Sequence, residues 1–488
     1  MPISRLVWLT GSLGFTAVGL TALSLPGGGP RSFFGGQPPQ RDFAPPNTLF
    51  SPNELRTELA WLVDTMREVG ANPFAYCAPQ TFESRYAQTV ADLSRPLDAR
   101  GFFLRISPLF AALNDGHVSI NLGHTFETWA DGGGKAFPLL LTFDGDEMYV
   151  ETPTDETLEK GARIESVDGV PGQEIIKSLT ALQGAQTPLL RTAMAPALMR
   201  QFYYARYGER PSFEVVAHSA GRRFAQRISA LQYDVLAPRM NSRASNPYTF
   251  SRIDGRVGYI NYRQCSDLKR FKAFLKTTFT DIAREPVDGL VVDIRENTGG
   301  DSTLNAELWK YLTSKAFSDG SPVTMKVSSR IKREYGFFRY NLQYFPPAWF
   351  MRDGSLLTQD YTWIATIRPG ANPLRYDGPV YLLVGTKTFS SALDCAQEAK
   401  DYKLATLVGQ ETGEPLDTTG TAYGGYSPRI GTRFQFTTRY SWFPDHPKGR
   451  GVIPDVTIAP TQEDISSGYD PVLAYALSQI STHARRKT

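Results

Sequence analysis

Apolar residues at Leu55, Leu59, Leu62, Met66 and Val69 follow a 4-3-4-3 spacing, which predicts one buried helix face. Ser51, Pro52 and Glu54 supply an N-cap, a first-turn proline and the acid of a capping box just ahead of it. Gly70 marks the stop. Phe103, Ile106, Phe110 and Leu113 predict a second helix, ending at Asn114-Asp115-Gly116-His117. Residues 48–125 therefore read as an N-terminal helical domain.

From Ala136 the period changes. FPLLLTF, an Asp144-Gly145 turn and EMYVET read as a hairpin. GARIESVDGVPGQEIIKSL reads as strand, Asp168-Gly169 turn, strand and helix. FEVVAHSAGRRFAQRIS reads as a further hairpin. Residues 135–235 are thus a mostly β unit. Beyond it strands and helices alternate: RVGYINY, a helix capped by Ser266, GLVVDIR, PVYLLVGT and LATLVG. Continuous apolar strands of this kind expect burial on both faces, so residues 245–462 predict an α/β core. Residues 463–488 read as a C-terminal helix and tail. An aromatic-rich stretch between Ala316 and Pro373 reads as packing or as the lining of an apolar cleft.

The N-terminus changes the picture. Arg5 precedes an apolar run rich in small residues, with Ala22 and Ser24 placed for cleavage, so residues 1–24 read as a signal peptide or a membrane anchor. Residues 25–47 are a Pro/Gly-rich linker. The expectation is an exported protein, periplasmic, extracellular or anchored facing outward. Over 488 residues the net charge is only +3, with no long single-sign block, which argues against nucleic acid as a partner. Three scattered cysteines make no disulfide framework, and no metal-ligand spacing occurs, so neither metal nor cofactor is expected.

Candidate chemistry centres on Ser390 and Ser391, where a buried strand becomes the helix ALDCAQEAKD. Unpaired N–H groups and the dipole at a helix start stabilise negative charge, so a serine there can attack a carbonyl while its neighbours hold the oxyanion. Capping by Ser390 or Thr388 is the competing reading. Gly299-Gly300, at another strand–helix junction, lets the backbone approach a ligand and aim N–H groups at it. His117 lies in a polar turn, available as a base.

Three stretches in fixed order, LNDGHVSI, GLVVDIRENTGGDS and VYLLVGTKTFSSALDCAQEAKDYKLATLVGQETG, resemble the C-terminal-processing and tricorn-like serine peptidases. KGRGVIPDVTI resembles the G-V-x-P-D ending of their catalytic domain. The region around GARIESVDGVPGQEIIKSL is similar to their PDZ domains. The resemblance implies a crotonase/ClpP-like core and a peptide or unfolded-protein substrate. It implies Ser390 as nucleophile, His117 as general base, and Ser391, Gly299 and Gly300 as backbone oxyanion donors. Asp115 would shape the turn. A Ser-Lys dyad is disfavoured, because GQETGEPLD holds no lysine where that branch places one. The glutamate of the tricorn-like pattern is replaced by Lys448. Asp445 is the nearest upstream acid to orient His117, or else a turn aspartate before His446-Pro447. Glu411 and Glu414 are outside candidates, and Asp455 reads as structural. Ser390 and His117 stand roughly 270 positions apart. They meet only if the helical domain docks on the α/β core. The alternatives are a catalytically inactive protein binding peptide or an apolar ligand on this scaffold, and an esterase. The latter lacks a G-x-S-x-G elbow around Ser390.

Overall fold

The computed structural model describes residues 43–485, apart from 153–157, 220, 241–245, 319, 344–345, 361–365 and 444. The segment 1–24 and most of the linker lie outside the described residues. Among those described, no helix is long and apolar enough to cross a membrane.

Helix α1 (Pro52–Val69) opens with the capping box its sequence predicts: Ser51 Oγ accepts from the Glu54 N–H, and the Glu54 carboxylate accepts from the Ser51 N–H. It buries the predicted face, Leu55 to Val69, against α2 (Ala99–Ala111) and a mixed core. The chain then turns through His117 into a short strand β1 (Ser119–Asn121).

Strands β2 (Leu140–Asp144), β3 (Glu147–Thr152), β4 (Arg163–Val167), β5 (Ser212–Ser219) and β6 (Arg222–Ser229) form an antiparallel sheet in the order β2-β3-β4-β5-β6. Helix α3 (Gly172–Thr180) lays Ile175, Ile176 and Leu179 on it. The first hairpin turns at Gly145-Asp146, one residue later than predicted, with Gly145 at φ 55°.

Next comes a six-stranded sheet. β7 (Tyr248–Ile253) pairs antiparallel with β8 (Val257–Tyr262). β9 (Gly289–Asp293), β10 (Val380–Val384), β11 (Thr406–Gly409) and β12 (Val456–Thr457) follow in parallel, in the order β7 to β12. One face is covered by α4 (Leu268–Arg284), α5 (Thr303–Trp309) and α6 (Ser391–Asp401). The cap of α4 is Asp267 and not Ser266: its carboxylate accepts from the Arg270 N–H at 3.0 Å. The other face is covered by α7 (Pro471–Arg485), whose Val472, Ala476 and Ile480 pack on Val257, Val291, Leu383 and Val408. A parallel sheet needs both faces covered, and the C-terminal helix is that second layer.

A third sheet ties the helical region to the core. Its central strand, Arg433–Ser441, pairs with β1, with Thr418–Tyr426 and with Pro322–Lys326, to which Leu356–Asp360 adds. The aromatic-rich stretch thus supplies two strands of this sheet and packs Tyr340 and Trp349 edge to face beside it. Trp61 meets Phe434 and Phe110 meets Phe436 across the interface, at 5.5 and 5.6 Å between ring centroids. Glu58, buried there, accepts from the N–H groups of Arg429 and Ile430 at 3.0 and 2.8 Å.

Candidate active site

Loops leave the carboxyl ends of three neighbouring parallel strands, β9, β10 and β11, the edge at which open α/β sheets bind ligands. The first carries Gly299 and Gly300, the second Ser390 and the third Glu414.

Ser390 sits at φ 55°, ψ −128°. A non-glycine residue there costs about 1–3 kcal/mol and persists only where its surroundings hold it. They do: its N–H donates to Glu414 Oε2 at 2.6 Å, and its carbonyl accepts from the N–H groups of Leu393 and Asp394. Ser390 occupies the N-cap position of α6, yet its side chain makes no capping bond. Thr388 does not cap either. Its hydroxyl donates to the Ile294 carbonyl and accepts from the Gly385 N–H, bracing the loop. The Ser391 hydroxyl donates to the Gly300 carbonyl at 2.8 Å, pinning the serine loop to the glycine loop.

The glycine pair needs to be glycine. Gly299 and Gly300 have φ 93° and 135°, and a Cβ on Gly299 would lie 2.6 Å from Ser390 Cβ. The Gly299 N–H donates to Asn297 Oδ1 at 2.9 Å, so this group, one of the three expected oxyanion donors, is already engaged. Among the described residues, no acceptor takes the N–H of Gly300 or of Ser391.

His117 reaches this edge from the helical region. Asp115 Oδ1 accepts its backbone N–H at 2.8 Å, shaping the turn, and Gln435 Nε2 donates to its carbonyl at 2.9 Å. Pairing of Ser119 with Gln435 fixes the register of that approach. The imidazole is buried and packs on Phe389, the residue before Ser390, at 4.3 Å between centroids. Its Nδ1 lies 3.4 Å from Glu414 Oε1 and 3.9 Å from Asp115 Oδ1, and neither ring nitrogen has a hydrogen-bond partner. Burial lowers the His117 pKa to about 4, so the ring is neutral at pH 7, the form that can accept a proton. Burial raises Asp115 to about 6. Burial also holds Glu414 well above the usual carboxylate range, against the opposing pull of the Thr418 hydroxyl and the Ser390 N–H.

The structure does not bring Asp445 to His117. Asp445 is exposed in a turn, and the neighbouring His446 faces Asp401 at 3.1 Å. Glu411 is bound to Arg450 and the Gly451 N–H. Asp455 accepts from the Leu407 N–H and pairs with Lys400. The acids beside the histidine are Glu414 and Asp115. Glu414 had a sequence signal: it follows strand β11 closely, as Ser390 follows β10. Among the described residues, no group of three or more His, Cys, Asp and Glu is placed to hold a metal ion.

A segment after α3 braces all these parts. Gln186 Oε1 accepts from the Gly116 N–H at 3.2 Å, Thr187 Oγ1 donates to the Gly413 carbonyl at 2.9 Å, and Leu190 packs with Phe389. One short stretch therefore touches the histidine turn, the serine loop and the loop of Glu414.

The model of peptidase family S41 matches residues 256–458. Among solved structures, mature CPAF complexed with lactacystin shares 14% identity at a TM-score of 0.65, over 89% of this chain and 99% of that one. Mature CPAF in another structure shares 15% at 0.61, over 86% and 95%. The photosystem II D1 C-terminal processing protease shares 18% at 0.42, over 84% and 94%. No curated protein matches. Residues 256–458 form a peptidase family S41 domain, and the chain is a serine-type peptidase.

Proposed function

We propose that the protein is an exported endopeptidase that cleaves peptide or unfolded-protein substrates through an acyl-enzyme on Ser390. The observation that carries this reading is the joint placement of three parts. Ser390 is strained and uncapped, the neutral His117 packs against the residue before it, and Glu414 contacts both segments.

In this mechanism the Ser390 hydroxyl attacks the scissile carbonyl while His117 takes its proton. The Gly300 and Ser391 N–H groups receive the oxyanion, and removing one such donor typically costs about 100- to 1,000-fold in rate. Glu414 and Asp115, which both face Nδ1, orient the ring and stabilise the imidazolium that forms. The proton then passes to the leaving amine, and water repeats the cycle on the acyl-enzyme. Neither ring nitrogen of His117 is bonded in this state, so the serine–histidine hydrogen bond forms as substrate enters. Catalytic hydrogen bonds commonly tighten only in the substrate complex.

Residues 135–235 act here as a PDZ-like unit that docks extended peptide by strand addition, a reading supported by the antiparallel strands flanked by α3. The parallel sheet with helices on both faces supports a crotonase/ClpP-like core. Export rests on the segment 1–24 alone.

The test is fluorophosphonate labelling alongside hydrolysis of an unfolded protein such as casein. Wild type should label and cleave, Ser390→Ala and His117→Ala should do neither, and Ser391→Ala should still label. A folded wild type that does not label would replace this reading with a binding protein on the same scaffold.

A further inference from the structure

Arg191 sits in the short helix Pro188–Met194, immediately after the brace that touches the catalytic loops. Its guanidinium is about half buried, and burial alone depresses its pKa. Burying a cation normally demands a carboxylate partner. Arg191 has no acid within ion-pair distance among the described residues. One terminal nitrogen donates to Asn114 Oδ1 at 2.5 Å and to the Ala185 carbonyl at 3.4 Å, and its Nε has no partner.

Two cavities meet on this side chain. One, of about 620 Å³, runs between α3 and the Pro188–Met194 helix. The other, of about 370 Å³, runs along Tyr76, Cys77 and Arg85. Arg191 and Asn114 line both, and Asn114 begins the turn that carries His117. Among the described residues the charge lining them is unbalanced, with Arg85, Lys177 and Arg191 against Asp146, and none of the three cations is in an ion pair. A groove of this kind, leading to the catalytic turn with an unmatched guanidinium at its junction, is complementary to a peptide that carries a negative charge.

We propose that Arg191 is a specificity residue that receives a carboxylate of the substrate peptide as the peptide lies in the groove past Asn114. The inference rests on the peptidase reading for the identity of the ligand. A planar guanidinium with free N–H groups matches a carboxylate two-point fork, and such charge-assisted bonds are among the strongest polar contacts. Either an Asp or Glu side chain or the peptide's own terminus supplies this chemistry.

The test is a binding measurement that does not depend on turnover. Fluorescein-labelled decapeptides of neutral sequence carry one Glu scanned through each position. Each has a Gln twin, and each is made as free acid and as amide. Affinity is read by anisotropy on the full chain bearing Ser390→Ala. In the protein with Arg191 intact, one charged peptide of a pair should bind about 10-fold tighter than its neutral partner. Arg191→Met should close that gap, and Arg191→Lys should retain part of it. A gap in the Glu/Gln pairs assigns a side chain, and a gap in the acid/amide pairs assigns the terminus. No gap in either, or a gap that Arg191→Met leaves intact, overturns the proposal. If the Met variant does not fold, the Lys variant decides: a gap reduced at least threefold supports it, and an unchanged gap overturns it. Loss of fluorophosphonate labelling by wild type would sink the peptidase reading without touching this result.

Discussion

The helical region meets the rest of the molecule in two places, and they are built on opposite plans. Where α1 and α2 lie on the strand Arg433–Ser441, aromatic rings pack edge to face and stacked, and the buried Glu58 is matched by two backbone N–H groups. Where the His117 turn meets the Ser390 and Glu414 loops, a buried imidazole has no hydrogen-bond partner and Ser390 holds an unfavourable backbone conformation. Both contacts exclude water. The first uses that exclusion to hold the pieces together. The second uses it to keep a histidine neutral and a carboxyl group protonation-prone, an arrangement that costs stability and suits the proton transfer proposed for it. The satisfied interface holds the unsatisfied one in register: Ser119 pairs with Gln435 on the same strand that carries Phe434 and Phe436.

The variants that break this contrast most sharply lie at the second contact. Ser390→Ala should lower kcat by roughly 10,000-fold or more in peptide hydrolysis, with the melting temperature nearly unchanged. Glu414→Gln keeps the volume and can still accept the Ser390 N–H, but removes the ionisable carboxyl group beside the imidazole. It should lower kcat by roughly 100- to 10,000-fold. At the first contact the effect reverses. Phe436→Ala should cost about 3–5 kcal/mol of stability in denaturant unfolding. Labelling of Ser390 in the fraction that remains folded should persist.

A subtler test uses pH. Burial raises Asp115 in the folded state from 3.8 to about 6. Its ionisation therefore costs the fold, a penalty absent below about pH 4 and complete above about pH 6. Asp115→Asn should melt a few degrees higher than wild type at pH 8, with the difference vanishing at pH 3.5. Asp445→Asn should leave kcat/KM within about twofold, as expected of an exposed surface change.

Local chemistry made much of this fold legible. The Ser51–Glu54 capping box, the apolar face of α1, the hairpin over residues 212–229 and the buried parallel strands all depend on neighbours close in sequence. Ser390 and His117 could be singled out because each sits in a distinctive junction. What the sequence hid was set by topology. Asp445 looked suitable because it precedes the G-V-x-P-D stretch, but proximity along the chain carried no information about the sheet edge. Glu414 reaches His117 because β11 adjoins β10, which places its loop beside the serine loop. The engagement of the Gly299 N–H by Asn297 was likewise invisible, since it depends on how one loop folds on itself.

In the proposed mechanism Glu414, and not Asp445, stands behind His117 in activating Ser390. The direct measurement is the second-order rate of Ser390 labelling by a fluorophosphonate at pH 7.5 in wild type, Glu414→Gln and Asp445→Asn. The rate should fall at least about 100-fold in Glu414→Gln and less than about twofold in Asp445→Asn. Labelling of Glu414→Gln at the wild-type rate, or collapse in Asp445→Asn, would contradict it.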